Sequence, residues 1–346
     1  MTVDVTILGA GAFGLACGWA MARRGARVRV IDPAGIGAGA SGGIVGALAP
    51  HVPEQWNEKK AFQLESLLMA DDWWAGVADA GDDPGYARTG RLQPIAGAEA
   101  LARAEERAAG VAALWQGRAE WSVEPAPDGW SPGTALVIRD TLTARLHPRR
   151  ACEALAMAIR EHGGEIVRRG DVAGEVLHAT GWQGLAAMRD DRGRPAGGGV
   201  KGQAILLDLD RRDLPQLYAD GLHIVPHADG TTAIGSTSER EFDTPDTTDT
   251  QLDCVLHRAI AAVPALTGAR VIARWAGVRP RARSRAPFLG AWPCRPGHHI
   301  VNGGFKIGFG MAPKVAEVMA DLILDGRDAV PRAFRTDHLA PWKASE

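Results

Sequence analysis

Apolar residues alternate with polar ones from Val3 through Leu8 (Val-Asp-Val-Thr-Ile-Leu), which predicts a strand at the start of the chain. After Gly9-Ala10-Gly11-Ala12-Phe13-Gly14 the apolar positions change period. Leu15, Ala16, Trp19, Ala20 and Met21 recur at helical spacing until Gly25 closes the helix. Arg27-Val28-Arg29-Val30-Ile31 then returns to a period of two and predicts a second strand. Strand, glycine turn, helix and strand in that order form a βαβ unit, the building block of a parallel sheet covered by helices. Farther along, Phe62, Leu64, Leu67, Leu68, Trp73 and Trp74 predict a helix over Lys59–Ala80 that serves as core or domain interface. Leu155 and Ile159 mark another over Pro148–His162, closed by Gly163-Gly164. Strands are predicted at 165–168, 175–182, 202–207, 222–227 and 232–237. A last helix carries Val315, Val318, Met319, Leu322 and Ile323, with Pro313 in its first turn.

The glycine turn carries chemistry. Gly9 permits a tight turn, Gly11 lets a pyrophosphate approach the backbone, and Gly14 allows close packing of helix on strand, while the helix N-terminus faces the phosphates. Asp32 stands at the carboxyl end of the second strand, where a carboxylate accepts from ribose hydroxyls. Together these make a dinucleotide-binding fingerprint.

Composition narrows the rest. With 346 residues and 46% hydrophobic content, the chain can bury the cores of two domains. The formal net charge of −2 supplies no field toward nucleic acid or an anionic membrane, leaving small-molecule chemistry as the default. Cys17, Cys152, Cys254 and Cys294 form no CxxC pair and no disulfide framework, as in a reducing compartment. No export leader and no apolar run of about 20 residues is evident. A soluble, cytoplasmic protein is expected.

A second small-residue run, Gly35, Gly37 and Gly39 leading into Ala40-Ser41-Gly42-Gly43-Ile44-Val45-Gly46-Ala47-Leu48, decides between cofactors. FAD is longer than the pyrophosphate unit and its flavin ring must lie against backbone, which small residues allow. This loop, following Asp32, resembles the D-amino-acid oxidase family of flavoenzymes, which includes glycine oxidases, sarcosine oxidases and D-amino-acid dehydrogenases. The Ala-Thr-Gly of 179–181, Trp275-Ala276-Gly277-Val278-Arg279-Pro280, Ala286-Pro287-Phe288-Leu289-Gly290, and Asn302-Gly303-Gly304-Phe305-Lys306-Ile307-Gly308 extend the resemblance over most of the chain.

The resemblance implies noncovalent FAD held by Gly9, Gly11, Ala12, Phe13, Gly14, Asp32, Ala40, Ser41, Gly42, Gly46, Ala47 and Leu48. It also implies Val172 beside the adenine, Thr180, Gly181 and Trp182 beside the cofactor, and Gly303, Gly304, Phe305, Lys306 and Ile307 near the flavin. No cysteine stands where sarcosine oxidases tether their flavin. Arg279 matches the arginine that binds the substrate carboxylate, a task suited to the planar fork of a guanidinium, with a plain salt bridge as the alternative. Lys306 adds a second cation near the substrate. His223 and His227 take the aromatic and basic positions of the family's Tyr-Ile-Val-Pro-Arg; His223 is a pocket candidate, or a structural strand histidine. The alternating Arg281, Arg283 and Arg285 read either as recognition of an anionic substrate or second carboxylate, or as a solvated strand face.

The expected fold is α/β in two domains: a Rossmann-type FAD domain of residues 1–85, 145–200 and 272–346, interleaved with a mixed-sheet substrate domain of residues 86–144 and 201–271. The expected activity is oxidation of the C–N bond of a small amine or amino acid by hydride transfer to flavin, with dioxygen or an electron carrier as reoxidant. Two rival readings share the fold: a tRNA-modifying oxidoreductase acting on an aminomethyl-uridine, and an FAD-binding subunit of a heteromeric dehydrogenase.

Overall fold

Val5–Leu8, three apolar residues and the buried Thr6, are covered on both faces and take a central place in a parallel sheet. They pair in register with Val28–Ile31, from Val5 opposite Val28 to Leu8 opposite Ile31, and on the other side with Glu175–His178. Glu165–Val167 extends one edge, and His298–Asn302 followed by the antiparallel Phe288–Ala291 extends the other, giving six strands. The computed structural model describes residues 2–337 and 339.

Helix Ala12–Ala22 is buried along its whole length, because the sheet covers one side and helix Gly308–Asp325 packs on the other. Gly18 makes this possible: a Cβ there would stand 2.9 Å from Ile159 Cδ1, on the neighbouring helix Pro148–Glu161. At the open end of the pair, Arg24 bridges Glu317 at 2.5 Å and Asp321 at 2.8 Å.

A second, eight-stranded sheet runs in the order Arg270–Ala282, Gly197–Asp208, Thr232–Gly235, Leu222–Pro226, Gln216–Ala219, Arg91–Ile95, Leu136–Asp140, Trp121–Pro125. All its pairings are antiparallel except that of Gln216–Ala219 with Arg91–Ile95. Its own core of Ile205, Leu207, Leu217, Ile224 and Ile234 is closed by helix Gln251–Ala262. The two sheets interleave in sequence, and the expected boundaries at 200 and 272 fall inside strands Gly197–Asp208 and Arg270–Ala282, which lie whole in the eight-stranded sheet. Residues 338 and 340–346 of the last expected FAD-domain segment lie outside the described residues. Among the described residues no helix is long and apolar enough to cross a membrane.

Three elements differ from their sequence pattern. The helix expected over Lys59–Ala80 is two, Glu58–Leu68 and Ala70–Ala80, with Asn57 capping the first and Met69 turning the chain between them. Asp71 and Asp72 then suit the start of a new helix, where carboxylates meet the positive end of the dipole. The strand expected to reach Trp182 stops at His178, because Gly181, at φ +61°, starts helix Gly181–Ala187.

Pro313 lies inside its helix rather than in the first turn, since the helix begins at Gly308. The amide of the next residue, Lys314, donates to the buried Ser66 hydroxyl at 3.2 Å, a contact between helices beside the donor that Pro313 lacks. Ser66→Ala should therefore remove this hydrogen bond and cost about 1 kcal/mol in urea unfolding; a loss below about 0.5 kcal/mol would show that the hydroxyl does not support the helix.

Candidate active site

A cavity of about 840 Å³ opens at the carboxyl end of the Val5–Leu8 strand and runs across to the eight-stranded sheet. Its floor is the first glycine turn. Gly9 has φ +117°, and a Cβ on it would stand 2.3 Å from the Ala179 carbonyl oxygen; a Cβ on Gly14 would stand 2.1 Å from the Gly9 carbonyl oxygen. Neither position tolerates a side chain. Gly9, Gly11, Ala12, Phe13 and Gly14 all line the cavity, bringing the N-terminus of helix Ala12–Ala22 to its wall.

Asp32 lines the same end, and its carboxylate is oriented by two backbone amides, Ala10 at 2.8 Å and Ala34 at 3.0 Å. Each oxygen keeps a second lone pair for a hydroxyl. From the second loop, Ala40, Ser41, Gly46 and Ala47 line the cavity, and the Ser41 hydroxyl accepts the Ala12 amide at 2.9 Å. Gly42 faces a neighbouring pocket of about 300 Å³ that shares Ala38, Gly39 and Trp275 with the main cavity.

The far wall holds Thr180, Gly181, Trp182, Gly303, Gly304, Phe305 and Lys306. Asn302 clasps two of its loops: its amide donates to the Gly181 carbonyl at 2.9 Å, and its oxygen accepts the Gly303 amide at 2.8 Å. Nothing in the sequence pattern singles out Asn302, since the bond spans 121 residues. Leu48 is instead core, at 1% exposure, and Ile307 precedes helix Gly308–Asp325 without reaching the cavity lining.

Val172 is displaced altogether. It is 52% exposed, and its neighbour Ala173 is tied to the Thr6 hydroxyl, at the amino end of the sheet rather than the carboxyl end where the cavity lies. The short link between strands Glu165–Val167 and Glu175–His178 cannot carry Val172 to the other end of the sheet.

At the substrate-sheet end, Arg279 projects from strand Arg270–Ala282 over Gly202 of the paired strand. A Cβ at Gly202 would stand 1.9 Å from its Nη2. Nη1 donates to the Thr237 carbonyl at 3.3 Å, and Nη2 donates to the Ser236 hydroxyl. The guanidinium is largely buried, which pulls its pKa down to about 10, so it remains cationic at neutral pH. Lys306 is half-buried and its pKa is lowered by burial and then by Arg279, placing two interacting cations at one end of the cavity.

His223 lines that end too. Its ring packs against Tyr218 at 4.7 Å, across the register of neighbouring strands, and its buried Nδ1 has no hydrogen-bond partner among the described residues. Burial, then the charges of Arg91 and Lys306, press its pKa down to about 3, so the ring is neutral. His227 does not reach the cavity. Its Nε2 meets the Ile44 carbonyl oxygen at 2.8 Å and ties the substrate sheet to the second glycine-rich loop. Arg283 is engaged elsewhere, with Asp190 at 2.8 Å and the Pro195 carbonyl at 3.0 Å.

Comparison with known proteins gives this geometry a family. Residues 4–322 match the family described as FAD dependent oxidoreductase. The chain belongs to that family. It is 28% identical to a glycine oxidase of Pseudomonas putida, over 93% of this chain and 95% of the relative, and 27% identical to a glycine oxidase of Geobacillus kaustophilus, over 92% of each. The crystal structure of the Geobacillus kaustophilus enzyme superposes with a TM-score of 0.79 at 21% identity, covering 95% of this chain and 96% of that one.

FAD is thus the cofactor, and the protein is an FAD-dependent oxidoreductase. The cavity fits the cofactor: a glycine cradle and helix N-terminus for the pyrophosphate, a carboxylate for ribose, and small residues where a ring must approach backbone.

Asp32→Ala should weaken FAD binding by about tenfold or more, read as the concentration of FAD that restores fluorescence quenching to deflavinated protein. Unchanged affinity would remove Asp32 from the ribose site. Stability also carries a pH signature. His223, His227 and His178 are neutral in the fold, with pKa values pressed to about 3, about 4 and about 4 by burial. The unfolded chain takes up protons that the fold refuses, so stability should fall as pH drops from about 6.5 toward 4. His223→Phe should flatten that slope in urea midpoints measured across the range; an unchanged slope would mean that His223 is protonated in the fold.

Proposed function

We propose that the protein oxidises a small amino acid or amine carrying a carboxylate, with noncovalent FAD as the immediate acceptor. The observation that carries this reading is Arg279. It is a buried cation fixed by a serine hydroxyl and a backbone carbonyl, facing the cavity with no carboxylate within ion-pair distance among the described residues. A buried charge without a direct ion pair is costly, and a substrate carboxylate satisfies it.

In this reading Arg279 takes the carboxylate and Lys306 adds positive potential beside it. That potential favours the neutral form of the substrate amine, which is the form that can give up hydride from the adjacent carbon. His223, being neutral, borders the substrate without adding charge. FAD, when bound, supplies the hydride acceptor. The imine left behind takes up water and gives a carbonyl compound, releasing ammonia from a primary amine or the smaller amine from an acyclic secondary one. Trp182, Phe305 and the Trp275–Val278 segment line the cavity and help exclude bulk water. Among the described residues no cysteine lines this cavity, in keeping with noncovalent attachment. The glycine oxidase relatives support the same substrate chemistry.

Anaerobic titration of the flavin-loaded protein with glycine, sarcosine, alanine and proline tests the reading. Bleaching of flavin absorbance by at least one is expected, and Arg279→Met should lower kcat/KM for it by about a hundredfold or more. A flavin untouched by every amine with a carboxylate, or a variant as active as the parent, would overturn it.

A further inference from the structure

The arginines of strand Arg270–Ala282 and its continuation divide into two groups. Arg270 pairs with Asp208 at 2.6 Å, Arg274 with Asp253 at 2.6 Å, and Arg283 with Asp190 at 2.8 Å. Arg279 and Arg281, two apart and so on one face of the strand, have no carboxylate within ion-pair distance among the described residues. Of these two, Arg279 lines the cavity; Arg285, past the end of the strand, likewise has no carboxylate within ion-pair distance among the described residues and is not part of the lining.

Arg281 lies over the ring of Phe305, with its guanidinium carbon 5.7 Å from the centroid, and Lys306 Nζ is 5.7 Å from the same centroid. Arg279, Phe305 and Lys306 line the cavity, and Arg281, itself outside the lining, is brought next to it through Phe305. Two neutral polar groups face the same space from neighbouring strands: Tyr218, and His223 with its unpartnered Nδ1. The acids lining the cavity are Asp32, at the opposite, nucleotide end, and Asp246. A single substrate carboxylate on Arg279 leaves Lys306 and Arg281 without an anion.

We infer that Lys306 and His223 form a second anion subsite beside Arg279, with Arg281 at its rim, and that the substrate is a dicarboxylic amine such as aspartate, glutamate or iminodiacetate. One carboxylate sits on Arg279, and the other on Lys306 with a hydrogen bond from neutral His223. The inference rests on the amine-oxidation reading above and adds its substrate class. It also moves the source of anion recognition away from Arg283, which is already paired.

The test uses the full chain with bound FAD and two unreactive ligands, succinate and propionate, followed by perturbation of flavin absorbance and by tryptophan fluorescence. Succinate should bind about tenfold tighter or more than propionate, the gain of one charge-assisted contact. Lys306→Met and His223→Phe should each bring that ratio toward one, and Arg283→Ala should leave it unchanged. If Lys306→Met fails to fold, Arg281→Ala should still lower the ratio, and more so at low salt.

With substrates, aspartate, glutamate or iminodiacetate should bleach the flavin at least about tenfold more efficiently than alanine or glycine. Equal binding of succinate and propionate in the parent protein, or a ratio insensitive to Lys306, His223 and Arg281 alike, overturns the second subsite. If monocarboxylic amino acids bleach the flavin and dicarboxylic ones do not, the subsite is wrong and amine oxidation stands. If no amine bleaches the flavin and neither acid binds, the underlying reading fails and the subsite fails with it.

Discussion

The site depends on a contact between backbones that leaves no room for side chains. Gly14 lies on the Gly9 carbonyl and Gly9 on the Ala179 carbonyl, each so close that a methyl group would overlap oxygen. That contact lets helix Ala12–Ala22 start directly above the carboxyl ends of two parallel strands. Its free amides and positive dipole end then face the cavity rather than a neighbouring side chain. Helix Gly308–Asp325, packed along the same helix, carries the Gly303–Lys306 segment to the opposite wall. The two halves of the cofactor site are therefore mutually positioned through one helix.

The other wall is set by charge. Arg279 is held from behind by a buried network. The Thr237 hydroxyl accepts the Gln203 amide at 2.8 Å and donates to Glu239, while the Gln203 side chain donates to Glu239 at 3.0 Å. Lys201 stands 3.7 Å from Glu239 and 3.9 Å from Asp249. Every member has a partner, which makes the network rigid enough to fix Ser236 and Thr237, and through them the guanidinium. Glu239 contributes charge to Arg279 only at longer range, so the forward edge of the arginine stays free for a ligand.

The nucleotide end was legible in the sequence because its determinants are local. Gly9, Gly11, Gly14 and Asp32 fall within one βαβ unit, and each residue type answers a steric or hydrogen-bonding need that can be stated without coordinates. Arg279 and Lys306 were legible through the family resemblance. Asn302, Ser236, Thr237 and Tyr218 were not, because their roles come from contacts across dozens of residues or more. Val172 failed for a related reason: its position depends on which end of a sheet a short loop occupies, and that is decided by the tie to Thr6. Met69 shows that apolar periodicity can persist through a break, since both neighbouring segments bury the same kind of face, and Pro313 that it can run on through a proline inside one helix.

The arginine run after Gly277 shows how far pattern alone reaches. Alternation put Arg281, Arg283 and Arg285 in one series after Arg279, and by alternation alone those three are equivalent cations. Three-dimensional pairing makes them unequal. Asp190 takes Arg283, and Arg285 lies past the strand's end at Ala282 with φ +60°, while Phe305 sets Arg281 beside Lys306. An aspartate more than 90 residues away in sequence thus decides which arginines keep charge available to a ligand. The electrostatics of the substrate end belong to the fold as a whole, and the cations that matter there are the ones the rest of the chain has left unpaired.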